Sequence, residues 1–168
     1  MGVVVCNRLA PGDRAMVVNT GYLSDRMAEM LRRRGVDVVQ VVAPLGDAPS
    51  LQEVHTQLQA EAPCKALFAT HVDTSTGVRV DPKGLAKLAR EFDMLSVFDG
   101  VCSTAGEACE MQAWGADVFL TGSQKAVGLP AGLAMLVASK RAMQAREALT
   151  TAPPMSMDFH QWLPIMRA

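Results

Sequence analysis

Leu95-Ser96-Val97-Phe98-Asp99-Gly100-Val101-Cys102-Ser103 passes from a short, nearly continuous apolar run into small and polar residues. A run of that length, rich in aromatic and aliphatic side chains and ended by glycine, predicts a strand covered on both faces. The same pattern recurs on either side. Upstream lie Ala15–Asn19, Val36–Ala43 and Ala66–Thr70; downstream lie Val118–Thr121 and Leu133–Ala138. Helical signals fill the gaps. Ser24 is placed to cap a helix through about Arg34, with Met27, Met30 and Leu31 inward and Gly35 as its stop. Ser50 and Glu53 form a capping box ahead of inward Leu51, Val54 and Leu58. Asp81-Pro82 opens a third helix over Leu85, Leu88 and Ala89, and a fourth follows Ser139. Strands alternating with helices predict an α/β fold, a three-layer αβα sandwich with a mainly parallel sheet. Residues 1–150 are expected to form this domain. Thr150-Thr151-Ala152-Pro153-Pro154 breaks the pattern, so residues 151–168, with Trp162, are expected to be a linker toward a part that the chain lacks.

The bulk properties narrow the function by exclusion. Of 168 residues, 16 are basic and 17 acidic, and this balance gives no electrostatic reason to expect nucleic acid or an anionic membrane as partner. The cluster Arg32-Arg33-Arg34 falls at a helix end, where cations complement the dipole. Cys6, Cys64, Cys102 and Cys109 form no C-x-x-C pair, and His55, His71 and His160 are scattered. Free thiols in a reducing compartment, and no metal site, are expected. The run Val3-Val4-Val5-Cys6 is too short for a membrane span and lacks signal-peptide features. A soluble intracellular protein is expected, with cytoplasm, peroxisome and mitochondrion not distinguished.

In parallel α/β sheets functional groups gather beyond the carboxyl ends of the strands. Four such places are polar or glycine-rich: Asn19–Tyr22, His71–Gly77, Asp99–Ser103 and Thr121–Lys125. No G-x-G-x-x-G follows the first strand, and neither G-x-x-x-x-G-K-[ST] nor G-x-S-x-G occurs, which disfavours dinucleotide, P-loop and nucleophile-elbow chemistry. An acid at the end of one strand and a lysine after the next remain. That pair suits pyridoxal phosphate, which needs an amine to bond and a carboxylate to keep its ring nitrogen protonated. On spacing alone, a solvated lysine and a turn-forming aspartate are the commoner reading.

The wording of the motifs shifts that balance. His71-Val72-Asp73-Thr74-Ser75-Thr76-Gly77-Val78, Phe98–Ser103 and Thr121-Gly122-Ser123-Gln124-Lys125-Ala126 occur in order. Pro11-Gly12-Asp13, Asp25-Arg26-Met27-Ala28, Ala113–Asp117 and Leu129–Leu133 fall in register among them. Together they resemble the class V, fold-type I pyridoxal-phosphate-dependent aminotransferases of the alanine–glyoxylate and serine–pyruvate type, across essentially the whole chain. The resemblance implies the large domain of that fold. It implies that Lys125 bonds the cofactor and shuttles the substrate proton, its amine kept neutral among apolar neighbours. It further implies that Asp99 holds the ring nitrogen, Val101 packs on the ring, Thr74 meets the ring hydroxyl and Gln124 helps hold the phosphate. The family carries a large aromatic where this chain has Leu23. The family's phosphate loop falls before Met1 and its carboxylate-gripping arginine after Ala168, leaving Arg79 and Arg90 as stand-ins. The implied reaction moves an amino group between a small amino acid (alanine or serine) and an oxo acid (glyoxylate or pyruvate), in a homodimer. This chain is expected to be an incomplete form. Two rivals stay open. One is a lyase or cysteine desulfurase of the same fold, whose histidine before the lysine is replaced here by Gln124. The other is a non-catalytic remnant acting in dimerisation or partner binding.

Overall fold

The computed structural model describes residues 1–61 and 63–167. Its elements run α1 (Gly2–Cys6), β1 (Arg14–Asn19), α2 (Tyr22–Arg33), β2 (Asp37–Val42), α3 (Leu51–Glu61), β3 (Ala66–Thr70), α4 (Pro82–Glu91) and β4 (Leu95–Asp99). Then come α5 (Met111–Trp114), β5 (Val118–Gly122), β6 (Ala134–Ala138), α6 (Lys140–Glu147) and α7 (Phe159–Arg167), with a 3₁₀ turn at Met155–Met157 before α7. One six-stranded sheet has the order β2-β1-β3-β4-β5-β6. The first five strands are parallel, and β6 runs antiparallel to β5 with Phe119 opposite Val137. A loop, not a helical crossover, joins β5 to β6, and a parallel return would need the longer connection.

Alternation along the strands divides the core in two. Val17, Phe68, Val97 and Leu120 face α1, α2 and α6 through Val4, Val5, Met27, Leu31 and Ala142. Met16, Leu67, Phe98 and Phe119 face α3 and α4 through Val54, Leu58, Leu85, Ala86 and Ala89. The fold is therefore the expected three-layer sandwich. Strand β3, between β1 and β4, is buried at every position. The edge strand β6 instead leaves Met135 and Val137 exposed, with Leu133 just before it.

Local chemistry sets the helix ends. Ser50 N donates to Glu53 Oε2 (2.7 Å) and Glu53 N to Ser50 Oγ (3.2 Å), the reciprocal box that the sequence suggests. Asp81 Oδ1 accepts from Gly84 N at 3.0 Å with Pro82 at the first turn, and Ser139 Oγ accepts from Ala142 N at 3.1 Å. Ser24 differs from expectation. Helix α2 begins earlier, after Gly21, and Ser24 lies buried inside it. The start is held from outside the helix: Asn19 Oδ1 accepts from Gly21 N (3.0 Å) and Asn19 Nδ2 donates to Asp25 Oδ1 (2.7 Å). The helices α1 and α5 are too short to show the periodicity that reveals the others.

The segment before α7 packs back onto α1. Arg146 Nη2 pairs with Asp158 Oδ1 at 2.8 Å, both nearly buried. Asn7 Oδ1 accepts from Arg146 Nε and Phe159 N, each at 3.1 Å, and Asn7 Nδ2 donates to the Met157 carbonyl. Burial works against the charged form of Asp158, but the Arg146 hydrogen bond and the His160 amide hold its carboxyl below its usual range. Burial, with the charge of Arg146 nearby, brings Arg8 down to about 10, and its guanidinium lies over the Phe159 ring. No helix among the described residues is long and apolar enough to cross a membrane.

Candidate active site

The carboxyl ends of β1, β3, β4 and β5 carry four loops that are laced together. The loop after β3 is locked onto the turn after β1. Buried Asp73 accepts from Ser75 N (3.0 Å) and Ser75 Oγ (2.6 Å) with one oxygen and from Ser24 Oγ (3.3 Å) with the other. Thr76 Oγ1 donates to the Thr20 carbonyl at 2.8 Å, and Tyr22 N donates to Ser75 Oγ at 3.0 Å. Gly21 makes this closeness feasible, since a Cβ there would sit 2.6 Å from Ser75 Oγ.

Thr74, in the same loop, reaches the next one. Its Oγ1 lies 2.6 Å from Cys102 Sγ in the turn after β4. That turn is joined in its turn to β5: Gly100 N donates to the Leu120 carbonyl (2.8 Å) and Thr121 Oγ1 to the Gly100 carbonyl (3.2 Å). Farther along, a Cβ built on Gly106 would sit 3.2 Å from Ala126 Cβ, beside Lys125. Thr74, Asp99, Val101 and Lys125 therefore stand on adjoining loops at one end of the sheet.

Asp99 closes β4 half-buried, and its Oδ1 accepts from Val101 N at 3.0 Å. Burial pushes its carboxyl above the usual range; the Val101 hydrogen bond and the charge of the Met1 ammonium oppose that shift, and the negative charge of Asp73 adds to it. No cationic side chain pairs with Asp99 among the described residues. Val101 is itself partly buried against the α1/α2 side of the core.

Lys125 and Gln124 are exposed on the loop between β5 and β6. The apolar surroundings expected for the Lys125 amine are thus not supplied by the described residues. Gln124 folds back over Gly122, where a Cβ would meet its Oε1 at 2.7 Å. The loop is clasped at its base by Ser123. Its Oγ donates to the Pro130 carbonyl (2.7 Å) and accepts from Leu133 N (3.3 Å), and its backbone pairs with Leu129 and Leu133. Ser123→Ala removes both hydrogen bonds that close the loop at its base, at a cost of about 0.5–1.5 kcal/mol each. Limited proteolysis should then cut between residues 124 and 132 well before the rest of the domain; a variant as resistant as the parent would remove Ser123 as the clasp.

Other expectations are redistributed. Leu23 is half-buried in the first turn of α2, and the Tyr22 side chain beside it is exposed. Arg79 is engaged with Glu107 at 3.1 Å and Arg90 with the Gly115 carbonyl at 3.0 Å, so each already has a partner. Three site residues escaped sequence reasoning: Asp73, Cys102 and Ser123. The motif His71–Gly77 contained a signal for the first, because an acid two residues before a serine marks an Asx-type turn. Nothing local marks the other two.

Comparison with known proteins identifies the type of fold and then the family. The crystal structure of alanine–glyoxylate aminotransferase from Nostoc sp. superposes with a TM-score of 0.91 at 32% identity, over 95% of this chain and 42% of that one. Alanine–glyoxylate aminotransferase 1 of Saccharomyces cerevisiae is 41% identical over 137 residues, 80% of this chain and 35% of the yeast protein. L-aspartate–glyoxylate aminotransferase of Paracoccus denitrificans is 35% identical over 147 residues, 85% of this chain and 37% of its own length. The sheet and its helices are those of an aminotransferase large domain. The family model for class-V aminotransferases matches residues 3–158, and the chain belongs to that family. It spans well under half the length of the relatives it matches.

Proposed function

We propose that this chain supplies the cofactor-binding core of a pyridoxal-phosphate-dependent aminotransferase that moves an amino group between alanine or serine and glyoxylate or pyruvate. The observation that carries the reading is Asp99: a partly buried carboxylate at the end of β4, penalised by burial and in no salt bridge with a cationic side chain among the described residues. A protonated ring nitrogen would stabilise the charged form of such an acid against burial. The donor set around it also fits, with the Thr74 hydroxyl on a neighbouring loop and, on the loop after β5, the amine of Lys125, which is in no salt bridge among the described residues.

When bound, pyridoxal phosphate supplies a conjugated ring that accepts the electron pair left as the substrate α-carbon loses its proton. The residues of this chain do the rest. Lys125 Nζ would hold the cofactor and would serve as the base that takes the proton from the α-carbon and returns it. Asp99 would keep the ring nitrogen charged, Val101 would pack on the ring, Thr74 would bond the ring hydroxyl and Gln124 would help hold the phosphate. The same reading expects a homodimer, in which a second subunit completes the site.

The experiment is a single half-reaction. The complete protein containing this chain, loaded with pyridoxal phosphate and given L-alanine without an acceptor, should form one equivalent of pyruvate per protomer and then stop. Glyoxylate should restart it. With L-serine in place of alanine, continuous release of pyruvate and ammonia by elimination of its β-hydroxyl would instead mark a lyase, and absence of pyruvate from both substrates would leave a non-catalytic remnant.

A further inference from the structure

Across the carboxyl end of the sheet, one rung of the ladder is polar where its neighbours are apolar. Thr70 stands opposite Asp99, and Asp99 opposite Leu120. Continuing the β1–β3 pairing of Val18 with Ala69 by one residue places Asn19 next to Thr70. The side chains of Thr70 and Asp99 leave the same face of the sheet. Each lies two residues after a strand position, Phe68 or Val97, that packs in the α1/α2 half of the core. Adjacent strands are about 4.8 Å apart, so the two side chains are neighbours.

Thr70 is 2% exposed, and its Oγ1 has no hydrogen-bond partner. A buried hydroxyl without a partner costs about 1–3 kcal/mol, and each such group in a native fold calls for a reason. The Asn19 amide is aimed elsewhere, its oxygen accepting from Gly21 N and its nitrogen donating to Asp25, and it makes no bond to Thr70. Leu120 offers no polar atom. On that rung the remaining acceptor is Asp99, whose Oδ1 already takes the Val101 amide while Oδ2 has no hydrogen bond among the described residues. A change of one rotamer at either side chain spans the gap.

We propose that Thr70 is a positioning residue that donates its hydroxyl proton to the Asp99 carboxylate, holding that group charged and aimed at the cofactor's ring nitrogen. This rests on the function proposed above. The hydroxyl touches neither substrate nor cofactor; it acts through Asp99. A donor on one oxygen turns the other toward the ring and favours the anion, which the positive ring nitrogen needs.

The test measures equilibrium binding of two ligands to the complete protein: pyridoxal phosphate, and its analogue with carbon in place of the ring nitrogen. Thr70→Val removes the hydroxyl and keeps the shape. It should bind pyridoxal phosphate about tenfold more weakly, yet bind the carbon analogue like the parent. Thr70→Ser should restore affinity to within about twofold, and Thr70→Ala should repeat the pattern of the valine variant. Equal weakening of both ligands would assign Thr70 a packing role and overturn the proposal, as would unchanged binding of both. A parent protein that binds neither ligand would overturn the functional reading itself, a result separate from these two.

Discussion

Reduction of the cofactor-loaded protein with borohydride is expected to fix the label on Lys125 and on no other lysine. Lys65, Lys83, Lys87 and Lys140 are the competing amines in this chain. Lys65 is held by Asp13 at 2.7 Å, across the N-terminal end of the sheet. Lys83 and Lys87 belong to α4, and Lys140 begins α6. None of these four lies on the loop that meets the turn after Asp99. Lys125→Ala should therefore give an unlabelled chain. In the complete protein it should also lose about 10²–10⁴-fold in turnover through loss of the proton carrier alone, with the lost covalent bond adding to that. Peptide mapping decides the matter: label on a peptide without residue 125, or label surviving in the alanine variant, ends the assignment.

The second large effect belongs to Asp99. Asp99→Asn keeps the shape and can still accept the Val101 amide, so the fold and that 3.0 Å hydrogen bond should persist. Only the charge goes. A neutral amide cannot balance a protonated ring nitrogen, so the ring loses the charge that makes it an electron sink. Removing a preorganised electrostatic partner of this kind costs about 2.7–4 kcal/mol, a fall of roughly 10²–10³-fold in kcat. Burial of the acid also sets the expected stability change. Because burial raises the Asp99 carboxyl, its charged form is disfavoured in the fold above the unfolded pKa, and the amide relieves that cost near neutral pH. Denaturation midpoints of Asp99→Asn should be equal to or above those of the parent while activity collapses. Near-normal turnover would take Asp99 out of the mechanism.

The sheet was readable in the sequence because its strands are buried on both faces and so appear as unbroken apolar runs. Ala66–Thr70 and Leu95–Asp99 match the observed strands residue for residue. The capping boxes and the Asp81-Pro82 start were readable for an equally local reason. Ser24 misled because its neighbourhood looks like a cap, whereas tertiary partners on Asn19 and Asp73 decide where α2 begins. The site divides along the same line. Asp99 and Lys125 stand out through their motifs, but the joining of Thr74 to Cys102 and the lone hydroxyl of Thr70 depend on which strands become neighbours. Strand order is not written in any one segment. The exposure of Lys125 likewise reflects what covers a loop, which the loop's own residues do not determine.

The clasp of Asn7 with Arg146, Met157 and Phe159 joins residues separated by 139 to 152 positions. A ribosome adds about 5–20 residues per second, so on the order of 10–30 s pass between the emergence of α1 and that of its partners. Throughout that interval Val4 and Val5 can already reach the growing sheet, while the Asn7 amide must stay hydrated. The Asn7 clasp thus closes only once residues translated much later have emerged. Nascent chains halted before residue 146 should keep α1 open to protease and chaperone alike.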